Sequence, residues 1–152
     1  MANTDVTLGK VETLSNNERA SGWTHKWTIS YTDIDEGTGN ADTVTVSLGN
    51  TPANFIVARC AANVTTAFAG AGSQALTMQV GTDDDPNNFL TDTTVFSAAT
   101  IVAAAGAAPA TLAGSHAQAS NALEALFTNA TAGSPSELTA GSVDIYMQLL
   151  EM

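Results

Sequence analysis

Val143, Ile145, Met147 and Leu149 alternate with Asp144, Tyr146 and Gln148 near the end of the chain. A period of two places one set on each face of an extended chain, so residues 142–150 read as a half-buried β-strand. The strand follows a Gly/Ser/Pro loop at 132–135. A closing strand of this kind points to a β module and away from an α/β enzyme.

The same period recurs upstream. Trp27, Ile29 and Tyr31 alternate with Thr28, Ser30 and Thr32, which predicts a strand over 23–34. A turn at 36–40 follows, and Val44, Val46 and Leu48 make 42–48 its expected hairpin partner. Residues 54–68 form a long β-prone stretch. Gly70-Ala71-Gly72-Ser73 reads as a turn into a strand at 76–80, which an acidic loop at 81–88 separates from a further β-prone run at 93–102. Residues 98–128 pull two ways. Their alanines favour helix, and Ser115-x-x-Gln118 fits a capping box. Leu123, Ala125 and Phe127 alternate, however, and the strand at 143–150 needs an antiparallel neighbour. A strand at 121–129, with a helical turn before it, reconciles the two. About seven to nine short strands set off by turn signals predict an all-β fold, an antiparallel β-sandwich or jelly roll. Residues 1–22 are polar and read as an extended N-terminal arm, leaving 23–152 as one domain.

Composition narrows the class. The chain has 152 residues and 44% hydrophobic content, enough for one core, but only 12% of its residues are charged. Small neutral polar residues fill the gap, which suits an extracellular or virion surface. The net charge is -11, and all four basic residues, Lys10, Arg19, Lys26 and Arg59, lie in the first 59 positions. Phosphate backbones and anionic membranes require Lys and Arg, so neither nucleic acid nor membrane is an expected partner. Such acidity keeps a protein soluble at high copy number. The single cysteine, Cys60, forms no internal disulfide and sits in an apolar run as a buried thiol. With no apolar leader in residues 1–22 and no apolar run of about 18 residues, the expectation is synthesis in a host cytoplasm without processing.

Candidate chemistry is sparse. Gly70-x-Gly72-x-x-Ala75 matches a dinucleotide fingerprint in letters, but the alternation of 76–80 predicts a strand where that motif needs a helix. Asp83, Asp85 and Asn87 have the alternate spacing that opens a calcium loop. Asn88 stands where such a loop needs glycine, Thr94 where it needs glutamate, and Pro86 stiffens the backbone. A solvated Asx-rich turn is the competing reading, and calcium is the one cofactor in view. His25 and His116 have no metal-ligand spacing with Cys60. No Gly-x-Ser-x-Gly elbow occurs, no carboxylate pair suggests glycoside cleavage, and no catalytic residue is assigned. Asn63-Val64-Thr65 and Asn129-Ala130-Thr131 match glycosylation acceptors without a secretory leader to give them meaning. Trp23 and Trp27 are four apart, so on one strand both would share a face. Exposed, they would stack on sugar rings or fill a partner's pocket as interface residues; buried, they would cap the core.

Four segments carry a resemblance. They are Val64-Thr65-Thr66-Ala67-Phe68, Leu76-Thr77-Met78-Gln79-Val80-Gly81-Thr82-Asp83, Asn88-Phe89-Leu90, and 138–146 from Leu138 to Tyr146. Across roughly 54–146 the chain resembles small β-structured virion proteins of tailed bacteriophages, of the head decoration (cement) type. The resemblance implies a non-enzymatic structural role on the capsid surface. The implied partners are the major capsid protein and copies of the chain itself, as a trimer. It carries over no single functional residue. The arm would reach a neighbouring subunit or the capsid protein, and many small contacts would add through multivalency. A tail-fibre or carbohydrate-binding β module is the alternative, served by Trp23, Trp27 and Tyr31.

Overall fold

The computed structural model describes residues 3–7, 13–34, 43–50, 55–70, 75–96, 101–103, 122–129 and 137–151. Nine strands, one short helix and a 3-10 turn make up the described elements. They run β1 (Asn3–Thr7), α1 (Asn16–Ala20), β2 (His25–Ser30), the turn Tyr31–Asp33, β3 (Thr43–Asn50), β4 (Phe55–Gly70), β5 (Leu76–Thr82), β6 (Leu90–Thr94), β7 (Ile101–Ala103), β8 (Ala122–Asn129) and β9 (Leu138–Glu151). They assemble into a five-stranded sheet in the order β1-β3-β8-β5-β6 and a four-stranded sheet in the order β2-β9-β4-β7. Every pairing is antiparallel except β1 with β3.

The alternation explains why the sheets face each other. Trp27 and Ile29 of β2, Ala62 and Val64 of β4, and Val143, Ile145 and Met147 of β9 are buried from one side. Val44 and Val46 of β3, Met78 and Val80 of β5, and Ala125 and Phe127 of β8 are buried from the other. These two apolar faces form one core, the arrangement of an all-β sandwich. Phe68 and Phe127 meet across it with ring centroids 5.9 Å apart.

At one margin the two sheets are tied together. Phe68 N–H donates to Val95 O at 3.1 Å, and Val95 N–H donates to Leu76 O at 3.1 Å. The far end of β4 thereby reaches towards the β5–β6 pair. The register of β4 against β9 shifts between Val64 and Thr66 and again between Thr66 and Ala69, so β4 bends where Phe68 turns inward. Gly141 makes the bend fit: its φ is +143°, and a β-carbon there would overlap the Phe68 ring.

Several pairings differ from the sequence expectation. Residues 23–34 and 42–48 do not form a hairpin, because β2 pairs with β9 and β3 pairs with β8. Trp27 and Val44 sit on opposite walls of the core rather than side by side on one. The neighbours of β9 are β2 and β4, not the strand at 122–129. β4 and β5, which flank the expected turn at Gly70-Ala71-Gly72-Ser73, lie in different sheets and do not pair as a hairpin. The run at 93–102 is divided into the end of β6 and the start of β7. The capping box at Ser115 and His116 lie outside the described residues.

Within 1–22 the described residues include one strand and one helix. β1 adds a parallel strand to the free edge of β3, in register from Asn3 opposite Thr43 to Thr7 opposite Ser47. Residues 16–20 form α1, which lies against the four-stranded sheet through the contacts described below. Among the described residues no helix is long and apolar enough to cross a membrane.

Candidate functional site

The outer face of the four-stranded sheet carries the densest polar cluster of the described residues. Strand register builds it. Lys26 lies opposite Tyr146 and Thr28 opposite Asp144. Tyr146 in turn lies opposite Ala61, and Asp144 opposite Asn63. All of these alternate with core residues and so point away from the core.

α1 closes over this face. Five residues make a marginal helix alone, so its ends must be held. Ser15 caps it: Glu18 N–H donates to Ser15 Oγ at 3.3 Å, and Ser15 N–H donates to Glu18 Oε2 at 2.6 Å. Gly22, with φ +89°, turns the chain out of the helix, its N–H donating to Arg19 O at 2.9 Å.

The other oxygen of Glu18 faces the sheet. Lys26 Nζ donates to Glu18 Oε1 at 3.1 Å and lies 3.3 Å from Asp144 Oδ2. The Tyr146 hydroxyl donates to Glu18 Oε1 at 2.8 Å, and Thr28 Oγ1 donates to Asp144 Oδ1 at 2.7 Å. One ammonium is thus shared by two carboxylates, with two hydroxyls filling their remaining acceptor sites. Titration follows from this. The Ser15 backbone hydrogen bond, then the Tyr146 hydroxyl and Lys26, bring the Glu18 carboxyl down to about 2 against an opposing burial effect. Burial works against the Lys26 charge, but Glu18 and Asp144 outweigh it and hold its proton more tightly than usual. Burial, the hydrogen bond to Glu18 and the Asp144 charge push Tyr146 up to about 12.

Beside this network, Arg59 locks the chain after α1. Its Nε donates to Gln148 Oε1 at 2.9 Å and its Nη2 to Ser21 O at 2.6 Å. The guanidinium lies 4.4 Å from the Trp23 ring centroid. Trp23 contacts Tyr146 at 5.6 Å with a 41° tilt. Between α1 and the sheet an open cleft of about 270 Å³ remains, with Trp23, Tyr146, Ala61, Asn17 and Asn63 among the residues that line it.

The two tryptophans therefore part company. Trp27 is 3% exposed and belongs to the core, where His25 stacks on it at 5.8 Å. Trp23 precedes β2, escapes its alternation and sits half-buried on the outer surface. An exposed aromatic pair on one strand face does not form.

His25 and Cys60 lie in one row of the sheet, each opposite Met147. Two strand spacings, about 9–10 Å, separate them, beyond hydrogen-bond reach. Burial lowers the His25 pKa, and its Nδ1 lies 2.9 Å from Thr24 Oγ1. Burial pushes the Cys60 thiol up to about 12. Native protein is expected to react with a thiol-specific disulfide reagent roughly a hundredfold or more slowly than unfolded protein. Absorbance of the released thiolate, with and without guanidinium, measures the ratio.

The acidic loop folds back on β5. Thr82 and Asn88 N–H groups both donate to Asp85 O, at 3.0 and 3.2 Å, and Phe89 N–H donates to Val80 O at 2.9 Å. A β-carbon on Gly81 would overlap Asp85 O, so only glycine permits this approach. Asp83, Asp85 and Asn87 are exposed. Among the described residues no three His, Cys, Asp or Glu side chains converge as a metal site. Asn129 is 4% exposed, so folding buries that glycosylation acceptor. Asn63, the other, borders the cleft.

Comparison with family models, with curated proteins and with solved structures finds no match to the chain.

Of the cluster, Trp23 alone stands out in the sequence as a candidate. Glu18 had a local signal: Ser15-x-x-Glu18 is a capping box. Lys26, Asp144, Tyr146 and Arg59 are visible only as polar positions on strands. Their meeting depends on the β2–β9–β4 order.

Proposed function

We propose that the protein is a structural virion protein of a tailed phage, a head decoration (cement) protein, and that its sandwich is a jelly roll. The observation that carries this reading is the strand pairing. β2 with β9, β3 with β8, β4 with β7 and β5 with β6 pair like the two arms of one long hairpin. The further pairs β4–β9 and β5–β8 roll that hairpin into two sheets. Jelly rolls of two four-stranded sheets build viral capsid and lectin domains. Likeness of fold, together with the segments 64–68, 76–83, 88–90 and 138–146, supports the virion role.

The surface agrees with that role. A net charge of -11 keeps free copies apart in solution. Small neutral residues on the strands favour close protein contacts once symmetry aligns many of them. The capsid protein and further copies of the chain, as a trimer, are the partners in this reading.

Adding purified protein to heads that lack it tests the reading. The expected result is saturable occupancy at symmetry-related positions and greater resistance to bursting. No occupancy of heads would overturn it in favour of a tail-fibre or carbohydrate-binding module.

A further inference from the structure

We propose that the cleft between α1 and the outer face of the four-stranded sheet binds a neutral saccharide. The inference goes beyond the virion role and does not rest on it.

The lining defines the ligand. Trp23, Tyr146 and Ala61 give the cleft an apolar floor and wall. Asn17 and Asn63 line it too, and their side-chain amides make no hydrogen bond among the described residues. Each brings two donors and an acceptor to the cleft. Asn17 is exposed and Asn63 half-buried, so both are open to a ligand from solvent, and one that engages both along with the aromatic wall has an apolar face and a polar rim.

Charge narrows the choice to a neutral molecule. Glu18 already accepts from Ser15, Lys26 and Tyr146, so it has little left for a cation. An anion would approach Glu18 and Asp144 on a protein of net charge -11. The nearby cations are committed, Arg59 to Gln148, Ser21 and the Trp23 ring, and Lys26 to Glu18 and Asp144.

Shape narrows it further. Trp23 and Tyr146 are in contact at 5.6 Å and tilted 41°, so no parallel slot opens between them for a flat base. A puckered ring lying across the aromatic wall, with its C–H face on the rings and its hydroxyls towards the amides, fits this geometry. A pyranose has that form.

The native packing supplies a reporter. Trp27 is buried, so Trp27→Phe leaves Trp23 as the only tryptophan, at the cleft wall. This protein is titrated with maltose, lactose, chitobiose and adenosine while emission is followed, and the unmodified protein is screened on a glycan array. The expected result is a saturable emission change with at least one saccharide, with Kd on the order of 1 mM for a disaccharide. Asn63→Ala, and separately Asn17→Ala, should weaken it about tenfold while circular dichroism stays native. Neither residue is in the core, which keeps the test readable. Silence across the array and the titrations overturns the proposal. So does adenosine binding without saccharide binding, or saccharide binding that both variants leave unchanged.

Discussion

Gly141→Ala is expected to lower the thermal midpoint by about 10 °C, the largest single-residue effect anticipated here. Two costs combine. The φ of +143° is one that an L side chain rarely adopts, at about 1–2 kcal/mol. The new methyl would also overlap the Phe68 ring. That ring is fully buried and packed on Phe127, so it has nowhere to retreat. Overpacking of this kind adds about 1–3 kcal/mol. Gly49→Ala is the control: its φ is +102°, but nothing lies within 4 Å of the added carbon. It should show the backbone cost alone, a loss of roughly 3–6 °C. Melting curves by circular dichroism measure both. Equal shifts would mean that the Phe68 contact does not hold β9 to the bend in β4.

Local pattern reveals this fold better than pairing does. Alternation locates β3, β5, β8 and most of β9, because each buries one face fully and the other for the most part only in part. It could not say which strands touch. Trp27 and Ile29 look the same in sequence whether β3 lies beside them or across the core from them. A short turn at 36–40 favoured the hairpin; the long-range pairs β2–β9 and β3–β8 prevailed because they close one core from two sheets. The candidate site was legible only in fragments for the same reason. Glu18 and Tyr146 are 128 positions apart and meet because α1 lies on β9. Period-two reasoning also placed Trp23 and Trp27 together. It fails for Trp23, which stands two residues before β2 begins.

The junction between α1 and the sheet supplies the second large effect. Lys26→Met is expected to cost about 2 kcal/mol near neutral pH, a loss of roughly 4–8 °C. Methionine keeps most of the apolar stem, so the loss reports the charge and not the packing. Without the ammonium, Glu18 and Asp144 face one another with only hydroxyls between. The side chains of Lys26 and Asp144 are 18% and 12% exposed, so water screens the pair only in part and its worth lies between that of a surface pair and a buried one. The pH dependence separates this from a packing effect. Glu18 has a folded pKa of about 2 against an ordinary 4.5, so its stabilisation is present above 4.5 and is lost as pH falls towards 2. Lys26 has a raised folded pKa, so its stabilisation is present below the ordinary value of 10.5 and is lost as pH rises above it. The Ser15 and Tyr146 bonds to Glu18 remain in Lys26→Met, so only the Lys26 share of the Glu18 shift differs between the two proteins. The gap in urea midpoint should therefore form a plateau from about pH 4.5 to pH 10.5 and narrow on both sides, on the acid side by that share alone. A gap that stays constant from pH 3 to pH 11 would assign Lys26 a packing role. A gap that narrows at both ends would establish that charge pins the helix, and with it Trp23, over the cleft.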